Sequence, residues 1–140
     1  MITDAQLRPS NAQAITTGTQ VSTNSIDLIS KNANMGRGMQ RRFVIKIVTA
    51  FVGGTSVQAS MVQSNNADLS GGTVLATGPV VAEANATIGT TLLDVVIPDT
   101  TAQYIGASYT SVGTHTAGAV FAGEVADTDR QPYLPANTGL

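Results

Sequence analysis

The 140-residue chain has no cysteine, no tryptophan and a single histidine, His115. Without cysteine there are no disulfides, thiolate metal sites or thiol nucleophile. One histidine excludes any site that needs two imidazoles. Six Phe and Tyr residues and no Trp give a poor supply of stacking surface for bases or sugars. Charge is scarce as well, at 11% of residues, against about 25% in an average soluble domain. The net charge is −2 and the isoelectric point is near 5.0, whereas a general nucleic-acid binder is basic. No apolar run reaches the ~18–20 residues of a membrane helix. The opening Met1-Ile2-Thr3-Asp4 lacks the basic and apolar regions of a signal peptide. A soluble protein, not secreted by the usual route, is expected.

What the chain does contain is strand and turn material. Thr occurs 19 times, Val 14 and Gly 14, while the helix formers Lys and Glu occur twice each. Apolar residues recur at period two instead of three and four. Eight strands are expected. Residues 20–29 carry Ile26 and Leu28 on one face. Residues 41–49 carry Phe43, Ile45 and Ile47 on one face and Arg42, Val44, Lys46 and Val48 on the other. Residues 55–64 place Val57, Ala59 and Met61 inward. Short runs follow at 73–76 and 79–82. Residues 87–97 place Leu93, Val95 and Ile97 inward, with Leu92, Asp94 and Val96 outward. Residues 103–112 place Ile105, Ala107 and Tyr109 inward. Residues 117–126 place Ala119, Phe121 and Val125 inward, with Val120 and Glu124 outward.

Gly53-Gly54 reads as a tight hairpin, and Pro98-Asp99 ends a strand. This spacing predicts an all-β antiparallel sandwich, with an eight-stranded jelly roll as the first choice, although strand count alone does not separate it from an immunoglobulin-like sandwich. Its body covers 20–126, with an N-terminal arm at 1–19 and an extended C-terminal arm at 127–140.

Few residues carry chemistry. His115 lies among Thr and Gly, which reads as a solvated loop histidine and not a catalytic base. Asp127-x-Asp129 starts like a calcium loop, but Gln131 and Pro132 stand where a ligand and a glycine are needed. No catalytic residue, cofactor or metal site is expected. Arg37, Arg41, Arg42 and Lys46 form a basic cluster. It suits either a solvated cationic edge or a docking patch for acidic surface. The C-terminal arm reads either as a frayed terminus or as a partner-binding segment through Arg130, Tyr133 and Leu134, and its two adjacent large apolar side chains favour the second. Val44, Val48, Leu92, Val96 and Val120 are expected to face outward. On so uncharged a chain they suggest a self-association surface.

With these parts placed, the chain resembles the jelly-roll capsid cement, or decoration, proteins of tailed bacteriophages, especially short-tailed ones. Several stretches carry the resemblance. They are the polar arm before Ser25-Ile26-Asp27-Leu28, then Gly36-Arg37-Gly38, Phe43-Val44-Ile45-Lys46-Ile47-Val48, the run from Val57 to Asp68, Gln103-Tyr104-Ile105, and Thr116-Ala117-Gly118-Ala119-Val120. The resemblance implies a structural virion protein, neither an enzyme nor a cofactor carrier. It would sit on the outer surface of the assembled head. It implies a major capsid protein of the HK97-like fold as partner, with self-association across symmetry axes, a homodimer before a trimer. A receptor- or carbohydrate-binding sandwich and another head or tail adaptor are the alternatives.

Overall fold

The computed structural model describes residues 5–29 and 41–125. Ten strands lie in these residues: β1 (Ser10–Ala14), β2 (Gly18–Val21), β3 (Ile26–Asp27), β4 (Arg42–Gly53), β5 (Ser56–Ser64), β6 (Thr73–Thr77), β7 (Val81–Ala82), β8 (Thr91–Val96), β9 (Tyr104–Val112) and β10 (His115–Val125). All pairings are antiparallel. One sheet, sheet A, has the order β1-β10-β4-β8. The other, sheet B, has the order β2-β9-β5-β6, with β3 also on β9 and β7 also on β5.

The count is ten and not the expected eight: β1 lies in the expected arm, the expected strand 20–29 divides between β2 and β3, and the expected strands 73–76 and 79–82 are β6 and β7 on one partner. β3 continues β2 along β9, and β7 continues β6 along β5. Counted as eight positions, the first, eighth, third and sixth form sheet A. The second, seventh, fourth and fifth form sheet B. That is the jelly-roll arrangement, and it confirms the expected all-β sandwich. Among the connections between these eight positions only β5 to β6 stays within a sheet; the others cross between sheets. Gly53-Gly54 is therefore no hairpin. It is the corner where the chain passes from β4 in sheet A to β5 in sheet B. Both glycines have positive φ, 75° and 68°, and the His115 ring lies against Gly54, where a Cβ would meet it at 2.6 Å.

The core follows from the alternation. Phe43, Ile45 and Ile47 of β4 face Val57, Ala59 and Met61 of β5 and Ile105, Ala107 and Tyr109 of β9, and all nine are buried. Two strands depart from the expected faces. In β10 the inward residues are Val120, Ala122 and Glu124, opposite Ile47, Ile45 and Phe43. Every residue from Gly118 to Val125 is buried, so alternation in polarity cannot reveal the face of this central strand. The Phe121 ring occupies the space that a side chain on Gly123 would fill. In β8 a register shift opposite Ile45 and Lys46 turns Leu92 and Leu93 both into the core.

Residues 10–19 are also more than an arm. Ser10–Ala14 pair with β10, and Ile15 is a core residue. The bulge in β1, where Ala12 has φ 52°, lets the short segment re-aim. Tyr109 of β9 crosses the interior and donates from its hydroxyl to Ser10 Oγ at 2.7 Å. Ser10 Oγ donates in turn to Gln13 Oε1 at 2.6 Å, and Gln13 Nε2 donates to the Val21 carbonyl at 2.9 Å. Burial pushes the Tyr109 phenol well above its ordinary range, with the Ser10 bond opposing. This chain of bonds ties sheet B to the N-terminal strand through the core.

Tyr109→Phe removes the donor and leaves Ser10 Oγ with one partner fewer. A loss of about 1–2 kcal/mol is expected in denaturant unfolding, with an unchanged m-value. Wild-type stability in that variant would show that the cross-core bond contributes nothing.

Candidate functional site

The expected basic cluster is only partly a cluster. Alternation along β4 places Arg42 and Lys46 on the outer face of sheet A. Arg41 falls on the inner-face register, at the end of the sandwich. Arg41 Nη1 lies 3.1 Å from Oε1 of Glu124, whose side chain is fully buried. Arg42 Nε lies 2.7 Å from Asp94 Oδ1 across the β4–β8 ladder, and both side chains are about a third exposed. The described residues give Lys46 no carboxylate partner. Of the four described cations, Arg8, Arg41, Arg42 and Lys46, the fold holds Arg41 and Arg42 on carboxylates. Arg37 lies outside the described residues, as do Arg130, Tyr133 and Leu134.

The Glu124–Arg41 pair was missed because β10 reads with the wrong face outward. A signal was present: Arg41 shares its register with Phe43 and Ile45. A cation there needs a buried partner or a route to water. Burial pushes the Glu124 carboxyl up from its ordinary 4.5, and the Arg41 guanidinium pulls against that shift.

The expected self-association residues separate into two groups. Val48 and Val96 are on the outer face of sheet A, 39% and 46% exposed. Val44, Leu92 and Val120 are buried and offer no surface. Val120 is on the inner face of β10, and Leu92 is at the β8 register shift. Val44 does point outward, opposite Gly123, but it is covered there. Lys46 and Val48 share one outer face with the Arg42–Asp94 pair, so a cation and apolar surface lie together on sheet A.

His115 is not a solvated loop residue. It opens β10, is 2% exposed and stacks edge-on against Phe51 with ring centroids 4.9 Å apart. Its Nε2 is 3.4 Å from the Ser56 carbonyl oxygen. It packs the corner at Gly54, and no nucleophile or carboxylate orients it. Among the described residues no three His, Cys, Asp or Glu side chains gather as metal ligands.

One polar cavity, of about 340 Å³, is lined by Gln6, Ser25, Asp27 and Tyr104. Its floor is fixed by the Asp27–Tyr104 cross-strand pair. Gln103 Nε2 donates to Asp27 Oδ1 and to the Tyr104 hydroxyl, both at 3.2 Å.

A family model described as Bbp16, a phage-related family, matches residues 9–123. That span runs from just before β1 to near the end of β10 and so covers the whole sandwich. No curated protein matches the chain.

The raised Glu124 carboxyl sets a sign for pH dependence. An acid whose folded pKa exceeds its unfolded value binds more protons when folded. Its presence therefore costs stability progressively as pH rises above the unfolded value. Wild type should lose stability relative to Glu124→Gln as pH is raised from 4.5 upward. Thermal unfolding of both proteins across that range checks this, and a difference that does not vary with pH contradicts it.

Proposed function

The chain belongs to the phage-related Bbp16 family, and on that premise we propose that it is a structural virion protein. It binds the outer surface of the assembled phage capsid and cements neighbouring major capsid subunits, which have the HK97-like fold. The observation that carries this reading is the family match along the full jelly roll, in a chain whose unspent groups lie on its outer faces. The outer face of sheet A supplies Lys46, which has no carboxylate partner among the described residues, beside exposed Val48 and Val96. Such a face suits an acidic, partly apolar protein surface.

The physical mechanism is linkage. A protein that binds the assembled lattice and not free subunits lowers the free energy of the assembled state. Each contact need not be tight. Two linked contacts on one lattice gain an avidity of ~10²–10⁴ over either alone. A standard interface takes about 800 Å² per partner, and the molecule exposes 7760 Å² in all. Residues 130–140 would add a second contact through Tyr133 and Leu134, by strand addition or pocket filling. Neither enzymatic activity nor a cofactor enters this role.

A second reading, a receptor- or carbohydrate-binding sandwich, is favoured by the cavity of Gln6, Ser25, Asp27 and Tyr104. Its carboxylate, amide, hydroxyl and phenol suit a polyhydroxyl ligand. Binding of host-surface glycans by the chain, without binding to heads, would favour it.

The test of the cement reading is cosedimentation with assembled heads that lack the protein. Lys46→Glu should weaken binding several-fold and flatten its salt dependence. Arg41 and Arg42 are unsuitable for this purpose, because replacing either strands Glu124 or Asp94. Deleting 130–140 should leave the sandwich folded and loosen attachment. Unchanged binding of Lys46→Glu removes sheet A from the contact, and absence of binding by wild type removes the cement reading.

A further inference from the structure

Arg8 lies between a short 3-10 helix, Ala5–Leu7, and β1. Its backbone is held on both sides. Leu7 packs against the core. Pro9 is buried, and its carbonyl accepts from the Asn24 N–H at 2.9 Å. Ser10 receives the Tyr109 hydroxyl. The register that pairs Ser10 with Ala122 brings Arg8, two residues earlier, to the level of Glu124. Arg8 also shares the inward parity of Ser10, so it falls at the end of the sandwich that holds Arg41.

The buried carboxylate at that end, Glu124, is taken by Arg41, and Asp94 is taken by Arg42. Arg8 makes no hydrogen bond or ion pair among the described residues. Its Nε is fully enclosed without an acceptor, while its two Nη nitrogens remain open. We infer that Arg8 is a docking site for an acidic side chain of a partner protein. That this partner is the capsid subunit rests on the cement reading; the site itself does not.

Three arguments lead to a carboxylate. First, enclosing a donor of a charged group with no acceptor is unfavourable. A chain retains such a group where another molecule completes it. Second, the fixed backbone presents the guanidinium ready to bind, so little freedom is lost on docking. The two open Nη nitrogens of a planar fork match the two oxygens of one carboxylate. Third, Lys46, which also has no carboxylate partner among the described residues, belongs to the same sheet. It pairs with Phe121, three residues along β10 from Glu124. Arg8 and Lys46 are therefore about 10 Å apart along the strands and about 10 Å apart across them. One contact of about 800 Å² per partner spans both, so a single acidic surface meets both cations.

The stability of Arg8→Met separates this site from a structural role. A guanidinium held by its own chain destabilises the fold when it is removed. One kept for a partner does not, because methionine fills the space with no charge to desolvate. Arg8→Met should unfold at or above the wild-type temperature, and Arg8→Gln is the second variant. Heteronuclear NMR of the purified chain then tests docking without any capsid. The Arg8 Nε–H resonance, assigned by its loss in Arg8→Met, should shift saturably with penta-glutamate and less with inorganic phosphate at equal concentration. In cosedimentation, Arg8→Met should bind heads roughly tenfold more weakly than wild type, the loss of one charge-assisted bond. Early unfolding of both variants shows that the chain itself holds the guanidinium, and overturns the proposal. So does a resonance that penta-glutamate leaves in place, or one that phosphate moves as far. A wild type that binds penta-glutamate at Arg8 and binds no heads removes the cement reading alone. Equal binding of heads by wild type and Arg8→Met overturns the capsid subunit as the partner of Arg8.

Discussion

Each strand of this molecule must give up every second side chain to one shared interior, and that interior admits a polar group only with a partner. Phe43, Ile45 and Ile47 against Met61, Ala107 and Tyr109 meet the first condition. The polar exceptions meet the second. Tyr109 brings its hydroxyl to Ser10, and Glu124 meets Arg41 at the end of the sandwich. Both exceptions join strands far apart in sequence. They tie the first and last strands of sheet A to the rest, where apolar packing alone would leave their register loosely set.

With so few charges in the chain, their placement divides the surface into two kinds. Sheet A carries cations, of which the fold occupies Arg41 and Arg42 and leaves Lys46. In sheet B the strands β2, β5, β6, β7 and β9 carry no charged residue and β3 carries Asp27, while Gln58 and Ser60 are bonded locally. A face with exposed valines and a cation that pairs with no carboxylate among the described residues suits a different, acidic partner. Under the proposed function, a small domain with more than one contact bridges positions on a lattice, so that modest contacts stabilise the assembly.

Much of the fold was legible because β4, β5 and β9 alternate without interruption. Their inward residues came out as expected, and seven of the eight jelly-roll positions lie where turn spacing put strands, β1 being the exception. The misreadings share a physical cause. β10 is buried on both faces, so polarity along it carries no face information, and Val120 and Glu124 were placed outward. A register shift in β8 put Leu92 inside. β1 looks polar because it is short, bulged at Ala12, and contributes Ser10 instead of an apolar residue. Gly53-Gly54 has hairpin chemistry, but a corner between sheets needs the same positive φ values. For the site, the basic residues were found and their partners were not, since Asp94 and Glu124 lie far away in sequence. Arg37 and the C-terminal residues fall outside the described chain, so their part in the site rests on sequence alone.

The central claim is that this protein stabilises an assembled head by binding it. The most direct measurement is the temperature at which heads lacking the protein come apart, followed as purified protein is titrated in. The account predicts a rise that saturates with occupancy, together with no effect on the unfolding of unassembled capsid protein. Heads that disassemble at the same temperature when fully decorated would contradict it.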